Sequence, residues 1–317
     1  MTDSSRPPAK GGGAASAKRG RGVPVKNIGV IGLGIMGSAM AANLVEAGFT
    51  VHGYDIVPAR RNALKKAGGK PCSSAAEVAA SALLVITSLP SADALHQVAA
   101  ELETRCIVIE TSTLPISDKL LARATLAKKK IELLDCPLSG TGAQARTKDL
   151  VVYASGGKAA FQKAIPVFKG LSRSHYYLGE FGNGSKMKFV ANLLVAIHNV
   201  SAAEAFVLGM KAGLAPETIF KVAGDGAGTS RMFQVRGPQM VAGKYDDAMI
   251  KLEVWQKDMK IIGEFAAKHA VPTPLFNASA AIYNAAMAQG FEKQDTAAVC
   301  AVLERMSGLR RRASPTR

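Results

Sequence analysis

Lys26–Gly48 reads KNIGVIGLGIMGSAMAANLVEAG, and this stretch decides the fold. KNIGVI is a short apolar run with β-branched side chains, the pattern of a buried strand. SAMAANLVEAG has helical apolar spacing and a glycine, Gly48, where a helix would be capped. Between them stands Gly32-Leu33-Gly34-Ile35-Met36-Gly37, a G-x-G-x-x-G turn. Alone that string says little. Between a strand and a helix it has the context that dinucleotide binding needs. Gly32 permits a tight turn, Gly34 lets a pyrophosphate approach the backbone, and Gly37 lets helix and strand pack closely. The helix N-terminus offers unpaired N–H groups to phosphate.

Outward from this turn, strand and helix alternate. FTVHGYD, ALLVITSLP, RCIVIETST and IELLDCP read as further strands, and PARRNALKKAGG, ADALHQVAAEL and PISDKLLARATLAKKK as helices. Such alternation predicts an α/β fold, a Rossmann-type doubly wound parallel sheet. LVVYASGG and HYYLGEFG are additional strand candidates. From about Gly184 the texture becomes alanine-rich and helical, which predicts an all-α domain. The expected organisation is a basic tail over 1–26, a dinucleotide-binding domain over 27–182, a helical substrate and oligomerisation domain over 183–307, and a second basic tail over 308–317.

Asp55 ends the second strand at the distance where an acid binds the ribose hydroxyls of NAD. A carboxylate there would repel a 2′-phosphate, which favours NAD over NADP. Arg60 and Arg61 follow closely and have the charge to neutralise such a phosphate, or are solvated helix charges.

The 317 residues carry 40 Lys and Arg against 24 Asp and Glu, a net charge of +16. Counted together with Arg305, the two tails hold 11 of the basic residues and 1 of the acidic ones, so the body has 29 against 23, or +6. A mildly basic body suits an anionic cofactor and a small carboxylate substrate. Nucleic acid is expected only as a non-specific contact of the tails. No uncharged apolar run reaches eighteen residues, so no membrane span is expected. The N-terminal segment lacks the apolar centre of a secretory signal. Cys72, Cys106, Cys136 and Cys300 are scattered, without the spacing of a zinc site or disulfide scaffold. No metal site is expected, and a reducing cytoplasm fits, with mitochondrial import as the alternative.

Two further stretches hold polar groups where chemistry needs them. Asp135–Gly142, DCPLSGTG, ends the fifth strand. Ligands of open α/β sheets sit beyond the carboxyl ends of strands, so Ser139, Gly140 and Thr141 form either a carboxylate nest or an ordinary turn. Gly182–Asn192, GNGSKMKFVAN, opens a long apolar helix with two lysines. At roughly 100° per residue, Lys188 shares a face with Asn192, Val195 and Asn199, while Lys186 points nearly opposite. Lys186 reads as a surface charge. Lys188 reads either as a lysine reaching for solvent or as a desolvated lysine suited to proton transfer. His198 is a lesser candidate, about 80° off that face.

Together these residues resemble the β-hydroxyacid dehydrogenase family, relatives of 3-hydroxyisobutyrate dehydrogenase and 2-hydroxy-3-oxopropionate reductase. The resemblance covers Asn27 to about Ser307. GLGIMGSAMAANL matches the family's opening motif in full. DCPLSGT resembles D-x-P-x-S-G-G, with Thr141 departing. Gly182, Gly184, Lys188 and Asn192 match G-x-G-x-x-x-K-x-x-N-N, with Ala191 departing, and Lys257-Asp258 matches a late K-D pair.

The resemblance implies that Lys188 is the general acid/base, that Asn192 orients the substrate, that Ser139, Gly140 and Thr141 hold its carboxylate, and that Lys257 flanks the site. It places Leu89, Pro90 and Thr113 beside the nicotinamide. The implied activity is NAD(P)-dependent interconversion of a short 3-hydroxy acid and its semialdehyde, by a homodimer or homotetramer. AGTSRMF and NLLVAIHNVSAAEA resemble members acting on four-carbon sugar acids such as threonate. Two rivals are an imine reductase and a non-catalytic binding protein with nucleic-acid-binding tails; relatives of both kinds tend to lack the lysine.

Overall fold

The computed structural model describes residues 26–311. Six parallel strands form the first layer: β1 (Asn27–Ile31), β2 (Thr50–Tyr54), β3 (Lys70–Pro71), β4 (Leu84–Thr87), β5 (Ile107–Glu110) and β6 (Glu132–Asp135). Their order is β3-β2-β1-β4-β5-β6. The order reverses direction between β1 and β4, which opens a crevice at their carboxyl ends. The connecting helices are α1 (Ile35–Glu46), α2 (Pro58–Lys66), α3 (Ala75–Ser81), α4 (Ala92–Glu101) and α5 (Ile116–Lys128). They cover both faces. Met40, Leu44 and Phe168 pack on one side, and Val78, Leu95 and Leu126 on the other. This is the Rossmann-type sheet that the strand–helix alternation predicts. The two-residue β3 and the helix α3 join it without an apolar run to announce them.

After β6 come β7 (Leu138–Ser139), α6 (Gly142–Arg146), β8 (Val151–Ala154), α7 (Lys158–Leu171) and β9 (Ser174–Tyr177). The two additional strand candidates are thus β8 and β9. They form a separate three-stranded sheet, β7-β8-β9, in place of extending the first. The short helix α6 is tied to α1 by Asn43, whose Nδ2 donates to the Ala145 carbonyl at 2.7 Å.

The helical half begins with α8 (Asn183–Lys211), followed by α9 (Pro216–Asp225), α10 (Arg231–Ala242), α11 (Leu252–Lys268), α12 (Pro274–Ala288) and α13 (Val299–Met306). Among the described residues, α8 is the one helix long and apolar enough to cross a bilayer. Its apolar residues Phe189, Ala196, Val200, Ala203 and Phe206 are instead core, among side chains of the helices that follow. Asn199 belongs to this core too. Its Nδ2 donates to the Tyr283 hydroxyl and to the Thr296 carbonyl, so the polar stripe begun by Lys188 ends inside the bundle.

The tail expectations over 1–25 and 312–317 lie outside the described residues. Arg311, assigned above to the C-terminal tail, is anchored. It is paired with Glu304 and donates to the Val241 and Met240 carbonyls. Arg305 is part of α13, with its guanidinium 4.5 Å from the centre of the Phe291 ring.

Candidate active site

The glycine turn joins β1 to α1 as its sequence requires. A Cβ on Gly37 would lie 1.9 Å from the Gly32 carbonyl oxygen, so only glycine permits this approach. At Gly34 nothing stands within 4 Å of where a Cβ would be. That open space belongs to a groove lined by Leu33, Gly34, Ile35, Ser38, Arg60 and Arg146. A bare backbone at a helix N-terminus, flanked by two guanidinium groups, fits a dinucleotide pyrophosphate. Met36 is half-buried beside it, and Ile35 is 68% exposed at the groove.

Asp55 is buried at the end of β2. Its carboxylate accepts hydrogen bonds from Leu33 N at 2.7 Å and Val57 N at 2.8 Å. Arg60 lies 3.3 Å from it. Arg61 points elsewhere, donating to the Asp55 carbonyl and lying over the Tyr54 ring. Of the two arginines, Arg60 is therefore the one that meets the Asp55 carboxylate.

The loops after β4 and β5 are held together, because Leu89 N donates to Ser112 Oγ at 2.9 Å. Pro90 follows at the exposed edge of the first loop. Thr113 belongs to the second loop, and its carbonyl accepts a 2.8 Å bond from Lys257 Nζ on α11. This bond spans 144 residues of sequence and brings α11 to the carboxyl edge of the sheet.

Lys188 lies one turn before Asn192 on α8. Asn192 is buried, and its Nδ2 donates to Asp258 Oδ2 at 2.9 Å. Asp258 is 3.7 Å from Lys257. The sequence-marked residues of α8 and α11 are thus brought together, and Lys257 links them to Thr113. Loss of water around the Lys188 ammonium pulls its pKa below the ordinary lysine value; Asp258 opposes this and Lys257 adds to it. Burial also raises the Asp258 carboxyl above its ordinary value, against the pull of Lys257 and Lys188. Among the described residues Lys188 Nζ makes no hydrogen bond, which leaves its donors free for a ligand. Lys186 is exposed and donates to Asn183 Oδ1 at 3.0 Å. The His198 side chain makes no hydrogen bond to Lys188, Asn192 or Asp258.

Ser139 ends β7, half-buried, and Gly140 follows with φ +136°. Thr141 caps α6. Its hydroxyl accepts from Gln144 N, and its own N–H donates to Gln144 Oε1 at 3.0 Å. The Thr141 N–H is therefore committed to the cap, while its hydroxyl, an acceptor there, keeps its proton to donate. The departure from the family's glycine builds a helix start.

The comparisons with known proteins agree with the fold. Residues 27–179 match the NAD binding domain of 6-phosphogluconate dehydrogenase, and residues 182–303 match the NAD-binding domain of NADP-dependent 3-hydroxyisobutyrate dehydrogenase. The 2-(hydroxymethyl)glutarate dehydrogenase of Eubacterium barkeri is 32% identical over 291 residues, covering 89% of this chain and 96% of its own. The chain belongs to the β-hydroxyacid dehydrogenase family. The L-threonate dehydrogenase of Cupriavidus necator is 33% identical, over 86% of this chain and 95% of its own. A solved 3-hydroxyisobutyrate dehydrogenase from Salmonella typhimurium superposes with a TM-score of 0.79 at 28% identity, over 87% of this chain and 99% of its own. This chain is accordingly an NAD(P)-dependent hydroxyacid dehydrogenase.

Beneath the dehydrogenase site lies a cluster that the sequence reading passed over. Lys119, Glu110 and Asp135 are each 0% exposed and joined by ion pairs. Lys119 stands in a helix beside exposed Leu120 and reads as one more surface charge. Only the pairing of β5 with β6 reveals two acids at its side, since Glu110 and Asp135 are register partners.

Proposed function

We propose that this dehydrogenase interconverts a short-chain 3-hydroxy acid and its semialdehyde, with Lys188 as the general acid/base. The observation that carries this reading is the half-buried Lys188 ammonium, free of hydrogen bonds to described residues and set among Asn192, Lys257 and Asp258, with burial lowering its pKa. The nicotinamide, when bound, supplies the hydride acceptor or donor. Lys188 in its neutral form takes the alcohol proton during oxidation, and as the ammonium returns it during reduction. Asn192 is held by Asp258, which leaves its carbonyl oxygen to orient the substrate hydroxyl. Ser139, Gly140 and Thr141 hold the substrate carboxylate in this reading. Holding the substrate between the two halves supplies rate through proximity and orientation.

2-(Hydroxymethyl)glutarate, L-threonate and 3-hydroxyisobutyrate, the compounds named for the three relatives above, share a hydroxyl on the carbon β to a carboxylate. A four-carbon sugar acid such as L-threonate is the second reading, supported by the L-threonate dehydrogenases among the relatives. Asp55, buried at the end of β2, supports NAD as the preferred cofactor, with Arg60 as the group that would tolerate a 2′-phosphate. A homodimer or homotetramer in the cytoplasm completes the proposal.

Purified protein assayed with NAD⁺ and NADP⁺ on 3-hydroxyisobutyrate, 3-hydroxypropionate, D- and L-glycerate, serine and L-threonate tests it. Turnover on a 3-hydroxy acid with semialdehyde as product is expected. Turnover confined to an imine or to a 2-hydroxy acid would overturn it.

A further inference from the structure

The Lys119–Glu110–Asp135 cluster takes no part in the chemistry above, yet it touches both segments that position it. Lys119 Nζ lies 2.6 Å from Glu110 Oε2 and 2.8 Å from Asp135 Oδ1, and donates to the Ser112 carbonyl at 2.7 Å. Burial alone would lower the pKa of this ammonium, but Asp135 and Glu110 raise it above the ordinary lysine value. Two carboxylates against one ammonium leave an excess negative charge away from water, a costly arrangement unless compensated. The compensation comes from the N-terminus of α8, the positive end of a 29-residue helix. Ser185 N donates to Asp135 Oδ2 at 2.8 Å, and Ser185 Oγ donates to Asp135 Oδ1 at 2.8 Å. Ser155 Oγ accepts from Gly184 N at 2.9 Å and donates to Asp135 Oδ2 at 3.2 Å. A Cβ on Gly184 would come within 2.3 Å of the Tyr153 carbonyl oxygen, so the helix start is seated directly on β8.

Ser185 stands three residues before Lys188, less than one turn away. The other contact of Lys119 is the Ser112 carbonyl, and the next carbonyl, Thr113, accepts Lys257. One buried ammonium thus braces the end of β6, which holds α8, and the loop after β5, which holds α11.

We propose that Lys119 is a positioning residue for the reaction. Acting through Asp135 and Ser185, it sets the depth at which Lys188 enters the cleft, and through the 111–113 loop it sets the carbonyl that fixes Lys257. The proposal rests on the reading of Lys188 as the proton-transfer group. A displacement of about 1 Å at such a group lowers the rate by about a hundredfold. A cluster that served folding alone would change melting temperature and leave the ionisation of Lys188 unmoved.

The test uses Ser185→Ala, which removes one link between helix and cluster and leaves every buried charge paired. Lys119→Met runs beside it. Should Lys119→Met fail to fold, Ser185→Ala and its conservative partner Ser185→Thr carry the test. The readouts are kcat against pH in the oxidation direction, normalised to cofactor-binding sites, and the cofactor dissociation constant. A loosened α8 admits water to Lys188 and raises its pKa, so the limb of the oxidation profile moves to higher pH. The expected result is that shift, with kcat at neutral pH down about tenfold or more, cofactor affinity within about twofold of the parent, and Ser185→Thr recovering most of the loss. An unmoved limb, with kcat falling only as folded protein is lost, overturns the proposal. Lys188→Ala separates the two claims. If it retains turnover, the reading of Lys188 fails and this proposal with it. If it is inactive while Ser185→Ala keeps the parental pH profile, this proposal alone fails.

Discussion

Asn192 on α8 and Asp258 on α11 are joined by a 2.9 Å hydrogen bond, one turn from Lys188. The same carboxylate favours the charged form of Lys188 and orients the amide beside it. Asp258 is thereby positioned to act on both proton transfer and substrate placement.

Replacing Asp258 with Asn separates these two roles. The Asn192 amide keeps an acceptor, but the charge that supports the Lys188 ammonium is gone, so the lysine pKa falls further. With Lys188 in its proposed role, oxidation needs its neutral form and gains rate as pH rises through that pKa. The limb of kcat against pH should therefore move to lower pH in Asp258→Asn, with substrate KM changed by less than about tenfold. A limb that moves upward would show that Asp258 does not face Lys188 electrostatically.

Gly34→Ala distinguishes cofactor binding from folding. The added methyl meets nothing within 4 Å in the protein itself, so the melting temperature should stay within about 2 °C of the parent. The methyl occupies the approach of the pyrophosphate, and cofactor affinity should drop by about tenfold or more. Gly37→Ala differs in kind. Its methyl meets the Gly32 carbonyl oxygen at 1.9 Å, so stability and cofactor binding should fall together. Calorimetry and cofactor titration of both variants check this.

Asp55 and Arg60 set an opposition that kinetics can read. In Asp55→Ala the repulsion of a 2′-phosphate is removed and Arg60 is released from its ion pair. The ratio of kcat/KM for NADP⁺ to that for NAD⁺ should rise about tenfold or more. Arg60→Ala should lower it. A ratio that stays constant in both variants would place the ribose elsewhere.

The helical half has its own buried pair, Arg236 with Asp295 at 2.8 Å. Asp295 also accepts from Met249 N, Ile250 N and Ala297 N, so it ties three chain segments together. Asp295→Ala leaves a guanidinium buried without its acid and should cost about 3–5 kcal/mol in urea unfolding. A loss under about 1 kcal/mol would show that the pair is dispensable.

The strand–turn–helix at Gly32–Gly37 was legible because local signals agreed: apolar run, glycines at fixed spacing, helical periodicity and an acid at the end of the next strand. The two-residue β3 carries no such signal, and α3 is marked chiefly by its Ser74 cap. Lys188 was legible through its helical face. Asn199, on the same face, proved to be core because a face continues past the point where the cleft ends. The Lys119 cluster was illegible for a different reason. Its members lie on three elements, and only the sheet register and the docking of α8 bring them together. The capping role of Thr141 likewise depends on Gln144, three residues on, in a helix of five residues too short to announce itself.

The central claim is that Lys188 carries the proton. Its most direct test is kcat of Lys188→Ala against the parent on the best 3-hydroxy acid, with cofactor binding measured on the same samples. The account predicts turnover reduced by about a thousandfold or more and cofactor affinity unchanged within about twofold. Turnover within about tenfold of the parent, with cofactor bound normally, would contradict it.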